Sequence, residues 1–144
     1  MIRFIGHLDV GCSPDYAFEL LADMTDLDRW NPNVTSSRRI EGDRFEPGSR
    51  YESIIVRGPM RMRAESTLVD VEPGRRVRYE GAISIFWSVD ELNFEATEQG
   101  CRITFSNESR GPEWLRLLEP LFDAAFQPQA RKAVVGARRH LERN

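Results

Sequence analysis

The chain has 144 residues, 40% of them hydrophobic and 30% charged, with a net charge of −3. That length suits one domain, spanning 1–144, with a two-layer core, and the composition excludes a disordered chain. No apolar run reaches the ~20 residues of a membrane span, and a negative balance gives no general attraction to nucleic acid.

The first element is read from IRFIGHLDV, which alternates with Ile2, Phe4, Gly6, Leu8 and Val10 on one face, the period of a half-buried strand. It has neither a continuous apolar stretch nor a small-residue cleavage site, so it reads as mature structure and the expected compartment is the cytoplasm. Ser13 then offers an N-cap, Pro14 a first helical position and Asp15 a first-turn acid, ahead of the apolar set Tyr16, Phe18, Leu20 and Leu21. A short second helix is expected over about 25–30, ending at Asn31 because the residue before a proline is pushed out of the helical region.

From Val34 to Ser109 the turn signals RGPM, EPGR and EQGC divide the chain into about six further strands. Closing EPGR as a hairpin places Leu68 opposite Tyr79, Asp70 opposite Val77 and Ser66 opposite Gly81, and directly opposed side chains share a face. Met60, Met62, Ala64, Leu68, Val77, Tyr79 and Ile83 then point inward, and Arg61, Arg63, Arg76 and Arg78 point outward among glutamates. The hairpin near Gly100 puts Leu92, Phe94 and Ala96 with Ile103, Phe105 and Asn107. After Gly111-Pro112 the period becomes helical, with Leu115, Leu118, Phe122, Ala125, Phe126, Gln129, Ala133, Ala137 and Leu141 on one stripe. Leu115, Leu118, Phe122 and Ala133 are expected to face the sheet, with a kink or break near Pro120 or Pro128.

Residue chemistry excludes more than it assigns. There is no phosphate-binding glycine loop, no nucleophile elbow and no metal-ligand spacing, so neither a metal nor a cofactor is expected. Cys12 and Cys101 suit buried free thiols. His7 falls on the charged face of the first strand and His140 in the last turn of the final helix, where a histidine suits the helix dipole. The outward arginines alternate with Glu65 and Glu80 and lack interleaved aromatics, as on a solvated sheet face, so no nucleic-acid partner is expected. The inward phase does carry polar residues: Ser88 and Asp90 on one strand, Asn107 and Ser109 on the next, with Tyr51, Ser66 and Asp70 as further candidates. Burying a carboxylate alone is costly, so Asp90 is paired, protonated, at the wet end of a cavity, or simply a strand-end residue in solvent.

SPDYAFELLADMTDLDRWNPNV resembles the N-terminal signature of the START-like helix-grip superfamily, which includes the polyketide cyclase/dehydrase and lipid-transport group. Ser13, Pro14, Phe18, Leu21, Asp26, Trp30 and Pro32 occupy the signature's places, and EPGRRVRYEG and EQGCRITFSNE resemble its later hairpins. The resemblance implies an α+β helix-grip fold: a curved antiparallel sheet of about seven strands wrapped on a long C-terminal helix, with two short helices after the first strand. It further implies a cavity between sheet and helix for an apolar or aromatic, polyketide-like or lipid-like small molecule. Combined with the inward phase, it makes Trp30, Tyr51, Met62, Tyr79, Asp90, Leu92, Phe94, Phe105, Asn107, Phe122 and Phe126 the candidate ligand-binding residues. By the same analogy Trp30 either packs the corner or lines one end of the cavity. Asp90 and Tyr79 are the candidate acid and base if the chain is a cyclase-type enzyme. A carrier, an enzyme and an interaction module with a collapsed cavity all stay open, because a fold does not choose a function.

Overall fold

Residues 1–143 are described in a computed structural model of the chain. The alternating segments become seven strands: β1 (Ile2–Val10), β2 (Val34–Glu41), β3 (Arg50–Arg57), β4 (Met60–Glu72), β5 (Arg76–Ile83), β6 (Phe86–Ala96) and β7 (Cys101–Arg110). They form one sheet in the order β1-β7-β6-β5-β4-β3-β2, with every neighbouring pair antiparallel. Tight turns join β3 through β7, while the short helices α1 (Pro14–Leu21) and α2 (Leu27–Trp30) carry the chain from one sheet edge to the other. The long helix α3 (Glu119–Arg143) closes the arrangement, which is the expected helix-grip fold.

Local chemistry explains the element ends. The Ser13 hydroxyl accepts from the Tyr16 N–H at 3.2 Å and Pro14 opens α1. Ala17, Phe18 and Leu21 form its buried face, whereas Tyr16, expected in the apolar set, lies beside that face and is exposed. The second helix is divided: a 3-10 turn (Met24–Asp26), capped by Asp23 through the Thr25 N–H at 2.9 Å, leads into α2. At EPGR, Gly74 takes a φ of +77, a conformation that favours glycine.

Both tested hairpins keep most of their expected register, with Leu68 opposite Tyr79, Ser66 opposite Gly81 and Asp90 opposite Asn107. One pairing is corrected. A register shift between Leu68 and Asp70 sets Asp70 opposite Arg78, and Val71 takes the place facing Val77. One extra residue reverses the facing of the residues after it, so Asp70 points outward and its carboxylate accepts from Arg76 at 2.7 Å.

The final stripe is also corrected at its start. Leu115 is buried, but Leu118 is 45% exposed and Ala125 is exposed as well. The first six residues, Glu113–Leu118, wind as a 3-10 helix, and Pro120 sits at the second position of α3. A stripe drawn at one α-helical period through both pieces loses phase at their junction. Pro128 is accommodated inside α3.

The place of α3 is decided at Gly136. A β-carbon built there would stand 2.0 Å from the Trp30 carbonyl oxygen and 2.8 Å from Pro32 Cδ, so only a glycine lets the helix approach the α2–β2 link this closely. Ala137 and Leu141 are buried at this end, and Gln127 donates to the Arg3 carbonyl at 2.8 Å, tying the helix to the β1 edge. We predict that Gly136→Val lowers the stability measured by urea denaturation by about 2 kcal/mol, because overpacking outweighs any gain in helix propensity.

Candidate ligand-binding face

The concave face of the sheet is graded. At one end Leu8, Tyr51, Leu68, Val77, Tyr79, Phe94, Ile103 and Phe105 are fully buried beneath α1, α2 and the C-terminal half of α3. At the other, Ile55, Met62, Ser66, Ile83, Ser88, Asp90 and Asn107 are only half-buried, although alternation turns them to the same face. The candidate residues divide accordingly. Trp30, Tyr51, Tyr79, Phe94 and Phe105 belong to the closed core, and Leu92 packs against it. Met62, Asp90, Asn107, Phe122 and Phe126 are half-buried, with Phe122 meeting Phe86 edge-on at a centroid distance of 5.3 Å.

Trp30 is 8% exposed and packs edge-on against Phe105 with the centroids 6.1 Å apart. Its indole N–H meets no acceptor among the described residues. The corner position therefore joins α2 to the sheet core.

Asp90 lies in a cross-strand row, Tyr79–Asp90–Asn107–Phe4, running over four strands. Its carboxylate accepts from Asn107 Nδ2 at 2.5 Å and from Ser88 Oγ at 3.4 Å, while Ser109 Oγ donates to Asn107 Oδ1 at 3.0 Å. Burial raises the Asp90 carboxyl above the ordinary carboxylate range, and the bonds from Asn107 and Ser88 oppose that shift. No cation faces it in an ion pair among the described residues.

Tyr79 is differently engaged. Its hydroxyl donates to the Ala22 carbonyl at 2.7 Å and accepts from the Met24 N–H at 3.1 Å, pinning the end of α1 and the following turn to the middle of the sheet. Its ring meets Tyr51 at 5.5 Å in a T-shaped contact. Burial drives the Tyr79 phenol far above its usual range, and burial raises Tyr51 as well.

Arg57, outside the candidate set, is the residue that sequence reasoning misses. It is half-buried at the open end, its guanidinium donates to Gln129 Oε1 of α3 at 2.6 Å, and its Nε–H is buried without a partner among the described residues. Gln129 is held in turn by Asn33, whose side chain donates to the Gln129 carbonyl at 2.9 Å. The signal is present in the sequence: Tyr51, Ser53 and Ile55 point inward, and strict alternation carries Arg57 with them. By contrast, Arg63 and Arg76 on the outer face reach Glu52, Glu65, Asp70 and Glu72, as expected of a solvated face.

A family model described as polyketide cyclase / dehydrase and lipid transport matches residues 1–142, and the chain belongs to that family. No curated protein matches the chain by sequence. Among solved structures, the chain is similar to the Zhui aromatase/cyclase from Streptomyces sp. R1128, with a TM-score of 0.82 at 12% identity, covering 98% of this chain and 93% of that one. It is also similar to a protein from Thermus thermophilus (TM-score 0.75, 16% identity, 97% and 95% covered) and to major latex-like protein 151 from Panax ginseng (TM-score 0.74, 14% identity, 97% and 94% covered). At these identities the likeness is one of fold.

The geometry gives an expected outcome for each of the two central polar residues. Tyr79→Phe removes both the donor to Ala22 and the acceptor for Met24, and should lower stability by about 1–3 kcal/mol in denaturant titration. For Asp90, the folded carboxyl holds its proton to a higher pH than the unfolded one does. The stability associated with that proton is fully present below the ordinary carboxylate range and is lost as pH rises through the raised folded value. Melting temperature should fall across that window in the native chain, and Asp90→Asn should lack this slope.

Proposed function

We propose that this member of the family binds an apolar or aromatic small molecule, polyketide-like or lipid-like, on the half-buried end of the concave face beneath the first half of α3. The observation that supports it is the inner face itself. The half-buried part of the inner face and the first half of α3 combine apolar Ile55, Met62, Phe122 and Phe126 with a small set of hydrogen-bonded polar groups, the usual composition of a site that holds an apolar body and fixes its direction. Arg57 adds a cation with an unpartnered buried N–H, and a carboxylate or enolate oxygen on the ligand would satisfy it. Asp90, hydrogen-bonded by Asn107 and Ser88, would select against a second anionic group nearby.

The second reading, a cyclase-type enzyme acting on the bound molecule, draws on Asp90, whose carboxyl keeps its proton to a higher pH than an ordinary carboxylic acid and so suits proton transfer. The engagement of the Tyr79 hydroxyl with two backbone groups gives it a supporting part in that scheme and leaves Asp90 as the group for proton transfer. Binding is the reading with the broader support, since it needs only the apolar residues and the polar set.

The test is displacement of a fluorescent naphthalene probe by 1-naphthoic acid and by naphthalene. The acid should bind to the native chain, and Arg57→Gln should weaken it by about tenfold or more, the scale of one charge-assisted hydrogen bond, with little effect on naphthalene. Asp90→Asn should shift selectivity between the two without unfolding the chain. Failure of both compounds to displace the probe, or equal loss of both in Arg57→Gln, would overturn the assignment.

A further inference from the structure

We propose that the open end of the molecule docks on an anionic lipid surface. Large apolar side chains are exposed together at this end. Trp114 (72%), Leu117 (93%) and Leu121 (69%) come from the 3-10 helix and the first turn of α3, and Ile85 lies in the β5–β6 turn beside them, with Trp87 just past it on the outer sheet face. The two groups are neighbours: Phe86 packs on Phe122, and Gly111 sits against both Phe86 and Leu115. Isolated surface leucines are ordinary, but several large side chains at one end, two of them tryptophans, form the kind of patch that marks an interaction surface.

Charge identifies the occupant. Most arginines of the outer sheet face stand in ion pairs with glutamate or aspartate. At the open end Arg61, Arg110 and Arg116 are exposed and have no ion pair among the described residues. The acids here are fewer. Glu108 pairs with Arg3 and Glu119 with the N-terminal ammonium, leaving Glu113 and Asp123. A net-negative chain thus presents an apolar tip beside three arginines that have no ion pair among the described residues. Tryptophan and leucine entering the headgroup boundary, with arginines on lipid phosphates, fit that arrangement. A second copy of the chain fits it poorly, because a two-fold contact through this end would set the same arginines against each other. This surface is independent of what the concave face holds, and its role goes beyond ligand binding there.

The experiment is cosedimentation of the full chain with large vesicles of phosphatidylcholine, with and without roughly a third phosphatidylglycerol. The chain should partition onto the anionic vesicles with a blue shift in tryptophan emission, about tenfold more strongly than onto neutral ones, and added salt should release it. Leu117→Glu with Leu121→Glu should abolish partition, and Arg110→Gln with Arg116→Gln should weaken it by about fivefold per charge. All four side chains are exposed, so circular dichroism should show each variant folded. The proposal is overturned by absence of partition onto either vesicle, or by partition of the double leucine variant equal to the native chain's. It is equally overturned by a dimer in sedimentation velocity that this variant dissolves without any lipid binding, which would assign the surface to a second copy.

Discussion

The close approach of Gly136 to the Trp30 carbonyl sets the geometry on which the rest of the molecule depends. With no side chain at that point, the C-terminal half of α3 lies directly on the α2–β2 link and buries Ala137 and Leu141. A rigid helix pinned at one end does not follow a curved sheet along its whole length. Its first half is therefore attached through a few side chains, Phe122 on Phe86 and Gln129 on Arg57 and Asn33. The concave face is sealed where the helix is pinned and partly open where it is not, and this gradient positions every polar group of the candidate site.

The gradient also separates two kinds of polar residue that look alike on paper. Tyr79 and Asp90 are opposed in adjacent strands and point the same way. Tyr79 lies in the sealed half, where its hydroxyl is taken up by the backbone of Ala22 and Met24. Asp90 lies one strand further toward the open half, where Asn107 and Ser88 serve it through side chains. Backbone partners are structural by nature, whereas a side-chain network on a half-buried face can rearrange around a ligand.

Membership of the polyketide cyclase/dehydrase and lipid-transport family agrees with this arrangement without specifying the molecule bound, since relatives at 12–16% identity share the fold alone. This chain's own side chains supply an inward arginine held by a glutamine from the long helix, and an apolar tip beside arginines that have no ion pair among the described residues.

Strand alternation, the Ser13-Pro14 cap, the stop at Asn31-Pro32 and the turn at EPGR are local properties, set by neighbours within a few residues, and they are legible in the sequence. So is the inward phase of Asp90 and Asn107, because period-two order survives any regular strand. The misplacements of Asp70 and Leu118 share one cause. A single bulge beside Val69, and a 3-10 segment joined to an α-helix at Glu119, each shift the phase on which the placement of later residues rests. Arg57 escapes notice although its phase is readable, because its interest lies in what it lacks. A buried N–H without a partner among the described residues is recognised only once the positions of the surrounding acceptors are known. The division of the candidate residues into a sealed core and a half-buried face is likewise decided by tertiary structure alone, since it depends on how far a helix pinned at Gly136 stands from a sheet built of segments much earlier in the chain.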